Sequence, residues 1–206
     1  LPGLIQAADR LETAIRSGEP ICVWGDFDVD GQTSTAILVQ TLQELHADVS
    51  YHVPVRDRES HGVNIPVLSA LIDRGARLIL TCDTGITAHE AVEYARSRSV
   101  EVVITDHHLL PPSLPNACAV VNPRLLDPGH PLSTLSGAGV AFKLAKELFN
   151  RKRHPEKADE MLDLVALGLV ADVAILRGDA RYLVQRGLQA LRDTSRAGLQ
   201  VMMELA

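Results

Sequence analysis

Five short, almost unbroken apolar runs constrain this chain most: Pro20–Gly25, Val49–Pro54, Arg77–Cys82, Val100–Thr105 and Ala117–Val121. A strand with one face in water alternates apolar and polar residues. Runs that stay apolar at successive positions need cover on both faces. Between them lie helical patterns near Gly31–Leu45, Ile65–Arg74 and Ile86–Arg98. Strands alternating with helices build a parallel sheet, because each helix carries the chain back to the starting end of the next strand. The expectation is an α/β fold, a five-stranded mostly parallel sheet with helices on both faces. After Val121 the strand pattern stops, and helical patterns follow near Gly139–Asn150, Ala158–Leu169, Ala180–Leu191 and Arg196–Leu205.

The clearest break is the charged loop Asn150–Lys157, which contains Pro155. The run after it, MLDLVALGLVADVAIL, is apolar again and reads as more core. Residues 1–206 are therefore expected to form a single domain, with an α/β core over about 1–150 and a helical C-terminal extension over about 151–206. Helical patterns at both ends, LIQAADRLETAI and LQVMMELA, fit a piece of something longer.

Charge narrows the function classes. With 20 basic against 26 acidic side chains the net charge is -6. A protein that grips nucleic acid by its own surface charge is basic, so this chain is not expected to hold long DNA by itself. Bound cations would change the local field, which leaves a phosphate substrate open. Three cysteines, Cys22, Cys82 and Cys118, lie in apolar runs and read as buried structural thiols. That usage fits a reducing, cytoplasmic setting. Neither a signal peptide nor a membrane-spanning apolar stretch is visible.

The chemistry sits at the strand ends. The first run ends in Gly25-Asp26-Phe27-Asp28-Val29-Asp30-Gly31. In an extended segment alternate side chains share a side, so three carboxylates would crowd together and repel. A divalent cation removes that penalty, and carboxylate oxygens suit Mg²⁺ or Mn²⁺. A helix N-cap explains one of the three, not all. The third run ends in Asp83-Thr84-Gly85, where capping alone is sufficient, and the fourth in Asp106-His107-His108. In a doubly wound sheet ligands bind outside the carboxyl ends of the strands. Asp26, Asp28, Asp83, His107 and His108 all take such places. Mixed carboxylate and imidazole donors favour Mn²⁺ over Mg²⁺, and no cysteine joins at the spacing zinc prefers. Asp172, alone in the apolar stretch GLVADV, needs either a metal or a basic partner such as Arg177. Ser136-Gly137-Ala138-Gly139 precedes a helix and reads as a loop whose N–H groups approach a phosphate, or as a plain helix start.

Together these motifs resemble the DHH phosphoesterase superfamily and, within it, the RecJ single-strand-specific exonucleases. The resemblance rests on Asp26–Gly31 with Thr33 and Ser34, on Asp83-Thr84-Gly85, on Asp106-His107-His108 and on Asp172. The stretches LSGAGVAFKLAKEL (Leu135–Leu148) and ARYLVQRGLQALR (Ala180–Arg192) look specifically RecJ-like. The resemblance implies that Asp26, Asp28, Asp83, His107 and Asp172 ligate two Mn²⁺ or Mg²⁺ ions, with Asp83 bridging. It implies catalytic roles for His108 facing the phosphate and for Asp106 orienting a histidine. Asp30 is placed with them, though not necessarily as a ligand. The implied substrate-binding set is Arg56, Ser136, Gly137 and Gly139. Many superfamily members carry a histidine where Cys22 stands, which predicts a weaker metal site. RecJ-like chains continue past the second strand with an arginine and Glu-Gly-Tyr-Gly; here Arg56 is followed by Glu59-Ser60-His61-Gly62-Val63.

The implied reaction is release of 5′ mononucleotides from single-stranded DNA in the 5′→3′ direction. Implied partners are the DNA strand itself and repair or replication proteins such as a single-strand-binding protein or a helicase. The family's second, substrate-gripping domain is not in this sequence. The nearest rival is a phosphodiesterase for short oligoribonucleotides or cyclic dinucleotides. A non-catalytic scaffold would have lost ligands, yet all four motifs are intact. A nucleotide-binding regulator would need a GxGxxG or P-loop, and neither follows the first strand.

Overall fold

The computed structural model describes residues 1–59 and 61–205. Its strands are β1 (Ile21–Trp24), β2 (Val49–His52), β3 (Leu78–Cys82), β4 (Glu101–Thr105) and β5 (Ala119–Val121). All neighbouring pairs are parallel, in the order β2-β1-β3-β4-β5. The sheet is thus wholly rather than mostly parallel. Each expected strand is present, trimmed by a residue or more at its ends.

Cover on both faces is what the apolar runs demanded. Ile21 and Val23 of β1, Leu78 and Leu80 of β3 and Val103 of β4 point into the larger core. There they meet α1 (Leu4–Ser17), α2 (Val29–Glu44), α5 (Gly137–Arg151), α6 (Leu162–Ala171) and α7 (Gly178–Arg192). The alternate residues Cys22, Trp24, Ile79, Val102 and Ile104 point the other way. They pack under α3 (Ile65–Asp73) and α4 (His89–Ser97). The last helix, α8 (Ala197–Leu205), buries none of its residues. Of the helical extension, α6 and α7 share the larger core with α2 and α5. Among the described residues no helix is long and apolar enough to cross a membrane.

Two features of α2 matter for the site. It starts at Val29, two residues earlier than its pattern indicates, with Asp28 as N-cap accepting the Gly31 N–H at 2.9 Å. Asp30 therefore lies in the first helical turn and leaves the extended alternation that would have stacked it with Asp26 and Asp28. Secondly, α2 runs between the sheet and two helices, so its hydroxyl residues are buried while Gln32 and Gln43 face solvent. Thr33, Ser34, Thr35 and Thr41 satisfy their hydroxyls on carbonyls one turn back.

The thiols divide. Cys22 and Cys82 are buried as expected, but Cys118 is exposed, because β5 begins only at Ala119 and Cys118 sits in the approach to it.

Candidate metal centre

The strand order reverses at β1 and β3: β2 lies on one side of β1 and every later strand on the other. Such a switch point opens a crevice at the carboxyl ends of the strands. The register fills it. Trp24 pairs with Thr81 and Cys82 with Thr105, so Asp26, Asp83 and Asp106 emerge one or two residues beyond the last paired positions.

One donor atom from each of Asp26, Asp28 and Asp83 lies within 4.8 Å of the others, and the same holds for Asp83, His107 and His108 and for Asp30, His107 and Asp172. Asp83 and His107 each belong to two of these sets. His107 Nε2 stands 3.0 Å from Asp83 Oδ1, and its Nδ1 stands 3.8 Å from Asp172 Oδ2. Asp172 is the C-cap of α6, and Arg177 donates to the Pro128 carbonyl. Of the two partners open to Asp172 in the sequence, the basic side chain is thus engaged elsewhere. Asp83 does not cap a helix either: α4 begins only at His89, and Asp83 holds the left-handed backbone (φ 61°) at the turn out of β3.

The electrostatics are those of an incomplete site. Asp26 Oδ1 and Asp83 Oδ1 are buried with no hydrogen-bond partner among the described residues. His107, though close to Asp83 Oδ1, lies too far off the donor direction for a hydrogen bond. Burial, reinforced by the charges of Asp30 and Asp28, pushes the Asp83 carboxyl up to about 10. Burial also raises Asp26 and Asp172 above the usual carboxylate value. Buried carboxylates without donors are strongly unfavourable unless a cation sits among them. The donor set, oxygens with one or two imidazole nitrogens, fits Mn²⁺ or Mg²⁺. Cys22 contributes nothing, since it is buried in the core under α3 and α4.

Asp106 and Asp30 are carboxylates of another kind. Asp106 accepts from the N–H groups of Ile86, His107 and His108 and from His108 Nδ1, which is 2.7 Å away. Burial opposes its ionisation, yet these bonds outweigh burial and hold it below the usual range. In return Asp106 raises the His108 imidazole, whose ring remains half exposed on the cleft. Asp30 is only 2% exposed and accepts from Ser136 Oγ, Gly137 N–H and Ala138 N–H at 2.6–2.9 Å.

That arrangement bears on Ser136, Gly137 and Gly139, which the resemblance implies as substrate-binding residues. All three are buried, and the N-terminus of α5 already holds an anion, the Asp30 carboxylate. The glycines serve packing: a Cβ on Gly137 would come within 2.6 Å of Asp83 Oδ1, and one on Gly139 within 2.9 Å of Leu135. Gly168, which the sequence did not single out, has the same role, because a Cβ there would meet Asp30 Oδ1 at 2.6 Å. Arg56 lies with its guanidinium 5.2 Å over the ring of Phe27, the neighbour of Asp26, and His61 also packs against that ring. Ser60, within the departure from the Glu-Gly-Tyr-Gly stretch, lies outside the described residues. A cleft of about 440 Å³ runs beside the cluster, lined by Asp26, Asp83, Asp106, His108 and His61 among others.

Residues 20–169 match the model of the DHH family, N-terminal domain. The chain belongs to the DHH family. Among DHH-family relatives, the single-stranded-DNA-specific exonuclease RecJ of Bacillus subtilis is 40% identical over all 206 residues of this chain, which span 26% of that protein. A crystal structure of exonuclease RecJ bound to manganese superimposes with a TM-score of 0.92 at 40% identity, covering 100% of this chain and 52% of that one. RecJ from Thermus thermophilus in complex with Mn²⁺ gives a TM-score of 0.88 at 39% identity, covering all of this chain and 29% of that one. The chain thus spans between about a quarter and two fifths of the curated RecJ relatives it matches, from 26% in Bacillus subtilis to 38% in Escherichia coli.

Proposed function

We propose that this chain is the catalytic core of a two-metal phosphodiesterase that removes 5′ mononucleotides from single-stranded DNA, working 5′→3′. The observation that carries the reading is the pair of buried, partnerless carboxylate oxygens on Asp26 and Asp83 beside His107, at the switch point of the sheet. Relatives named as single-stranded-DNA-specific exonucleases support the choice of substrate, and manganese-bound RecJ structures support the choice of ion.

In this reading Asp26, Asp28, Asp83, His107 and Asp172 would hold two Mn²⁺ or Mg²⁺ ions, Asp83 being common to two of the donor groups. Such ions would polarise the phosphodiester and make water nucleophilic near neutral pH. The chain's own residues do the rest. Asp106 accepts a hydrogen bond from His108 Nδ1–H at 2.7 Å, which fixes the ring and leaves Nε2 for the cleft. There the raised basicity of the imidazole keeps a proton available for a phosphate oxygen or the departing 3′ oxygen. Asp30 acts indirectly, by anchoring the α5 N-terminus that packs on Asp83. Arg56 supplies a cation to the DNA backbone at the mouth of the cleft. With a net charge of -6 the chain relies on a second domain for most of its grip, and the setting is the cytoplasm, among repair or replication proteins.

The test is hydrolysis by the purified chain with Mn²⁺. A 5′-phosphorylated single-stranded oligonucleotide, end-labelled, is compared with the dinucleotide pApA. Release of 5′ mononucleotides from the oligonucleotide, lost on chelation, is the expected result. Preference for pApA would move the chain to the short-substrate class, and no hydrolysis of either would refute the reading.

A further inference from the structure

Over the cleft mouth lies a platform that the strands do not hold. Phe27 follows Asp26, the His61 ring packs on it at 4.7 Å, and the Arg56 guanidinium lies 5.2 Å above it. His61 shares the cleft with Asp26, Asp83 and His108. Yet Arg56 and His61 belong to the segment between β2 and α3, whose internal backbone bonds amount, among the described residues, to one turn. In it Arg58 and Glu59 donate to the Val55 carbonyl at 2.9 Å. A turn of this kind does not fix its own direction.

Among the described residues, one shielded side-chain pair ties the turn back to the strand end. His52 Nε2 lies 2.8 Å from Glu59 Oε2, and Glu59 Oε1 accepts the Val55 N–H at 3.3 Å. Both side chains are largely shielded, at 20% and 15% exposure, so the contact escapes most of the screening that weakens surface pairs. His52 is itself firmly placed. It ends β2, its ring rests 4.7 Å from the fully buried Trp24, and its carbonyl accepts the Gly25 N–H at 2.9 Å. Gly25 immediately precedes Asp26. One residue therefore ties the strand end that carries the first metal carboxylate to the loop that carries Arg56 and His61.

The geometry points to His52–Glu59 as a clasp that positions the Arg56–Phe27–His61 platform against the substrate strand. Neither residue is catalytic; both act through the loop. The inference rests on the proposed nuclease reading of the cleft, so its test needs a readout independent of activity. The exposed Arg56 provides one, because trypsin needs an extended chain at the scissile bond and should cut after Arg56 faster when the loop leaves its seat.

In Glu59→Ala, cleavage after Arg56 is expected to accelerate about tenfold, as loss of a charge-assisted hydrogen bond predicts. KM for a 5′-phosphorylated oligonucleotide should rise by about the same factor with kcat unchanged. Turnover of bis(p-nitrophenyl) phosphate, too small to reach the platform, should stay at the parent rate. His52→Gln, whose amide can still donate to Glu59, should keep both the trypsin rate and the KM near the parent values. An unchanged trypsin rate in Glu59→Ala overturns the clasp. An unchanged oligonucleotide KM, or an equal loss on both substrates, overturns its positioning role. A parent chain inactive on both diesters would sink the nuclease reading alone, and the trypsin comparison would still decide the clasp.

Discussion

Asp30 and Asp83 are equally buried, at 2% exposure each, and opposite in circumstance. Three donors from the α5 N-terminus converge on Asp30, whereas Asp83 Oδ1 has none. Substitution should separate them. Asp83→Asn removes a carboxylate that the metal-free fold does not stabilise, so the metal-free variant should unfold at or above the parent temperature. The same variant should lose the rise in Tm that Mn²⁺ gives the parent, along with hydrolysis. Asp30→Ala strands two backbone donors and a hydroxyl, and should cost about 2–3 kcal/mol with or without Mn²⁺. Thermal unfolding of both variants, with Mn²⁺ and with chelator, checks the contrast. If Asp83→Asn proved the more destabilised in chelator, the account of the site as an incomplete one would be wrong.

At the scale of elements, the end of α6 departs from the usual pattern. The Val173 N–H bonds the Val170 carbonyl and the Ala174 N–H bonds the Leu169 carbonyl, the two bonds of a Schellman C-cap. The left-handed position, normally glycine, is occupied by Val173 at φ 55°. A β-branched residue there is strained by about 1–2 kcal/mol. Val173 is 86% exposed, so its side chain adds little packing in return. Val173→Gly should therefore stabilise the chain by about 0.5–1 kcal/mol after the entropy glycine loses, read from chemical denaturation. A destabilised variant would mean that the side chain packs against something. The start of α5 is the tighter junction. Gly137→Ala would drive a methyl into Asp83, and a loss of about 1–3 kcal/mol with weakened Mn²⁺ binding by calorimetry is expected.

For the whole molecule the carboxylates link stability, pH and metal. Asp26, Asp83 and Asp172 sit above the ordinary value of 3.8 in the metal-free fold, Asp83 at about 10. Above pH 3.8 the folded state binds more protons than the unfolded one, so their contribution falls as the pH rises from 3.8 toward 10. A cation takes the place of those protons. The gain in Tm on adding Mn²⁺ should accordingly be larger at about pH 8 than at about pH 6, by calorimetry with and without chelator. Equal gains would show that the buried carboxylates are not the ligands.

The layered α/β fold, and which strand ends bring carboxylates and imidazoles together, follow from the sequence alone, because continuous apolar runs and their terminal residues are local properties. Asp26, Asp83, Asp106, His107 and His108 were legible for that reason. Asp30 was misplaced because its grouping with Asp26 and Asp28 assumed extended backbone, and the helix starts at Val29. For Ser136, Gly137 and Gly139 the sequence leaves a phosphate loop and a plain helix start both open, because it shows where N–H groups are free and not that the Asp30 carboxylate accepts from them. Asp172 and the clasp partners His52 and Glu59 depend on the tertiary structure in the same way. Burial and pairing are properties of surroundings that lie far along the chain, as with the 106 residues that separate Asp30 from Ser136.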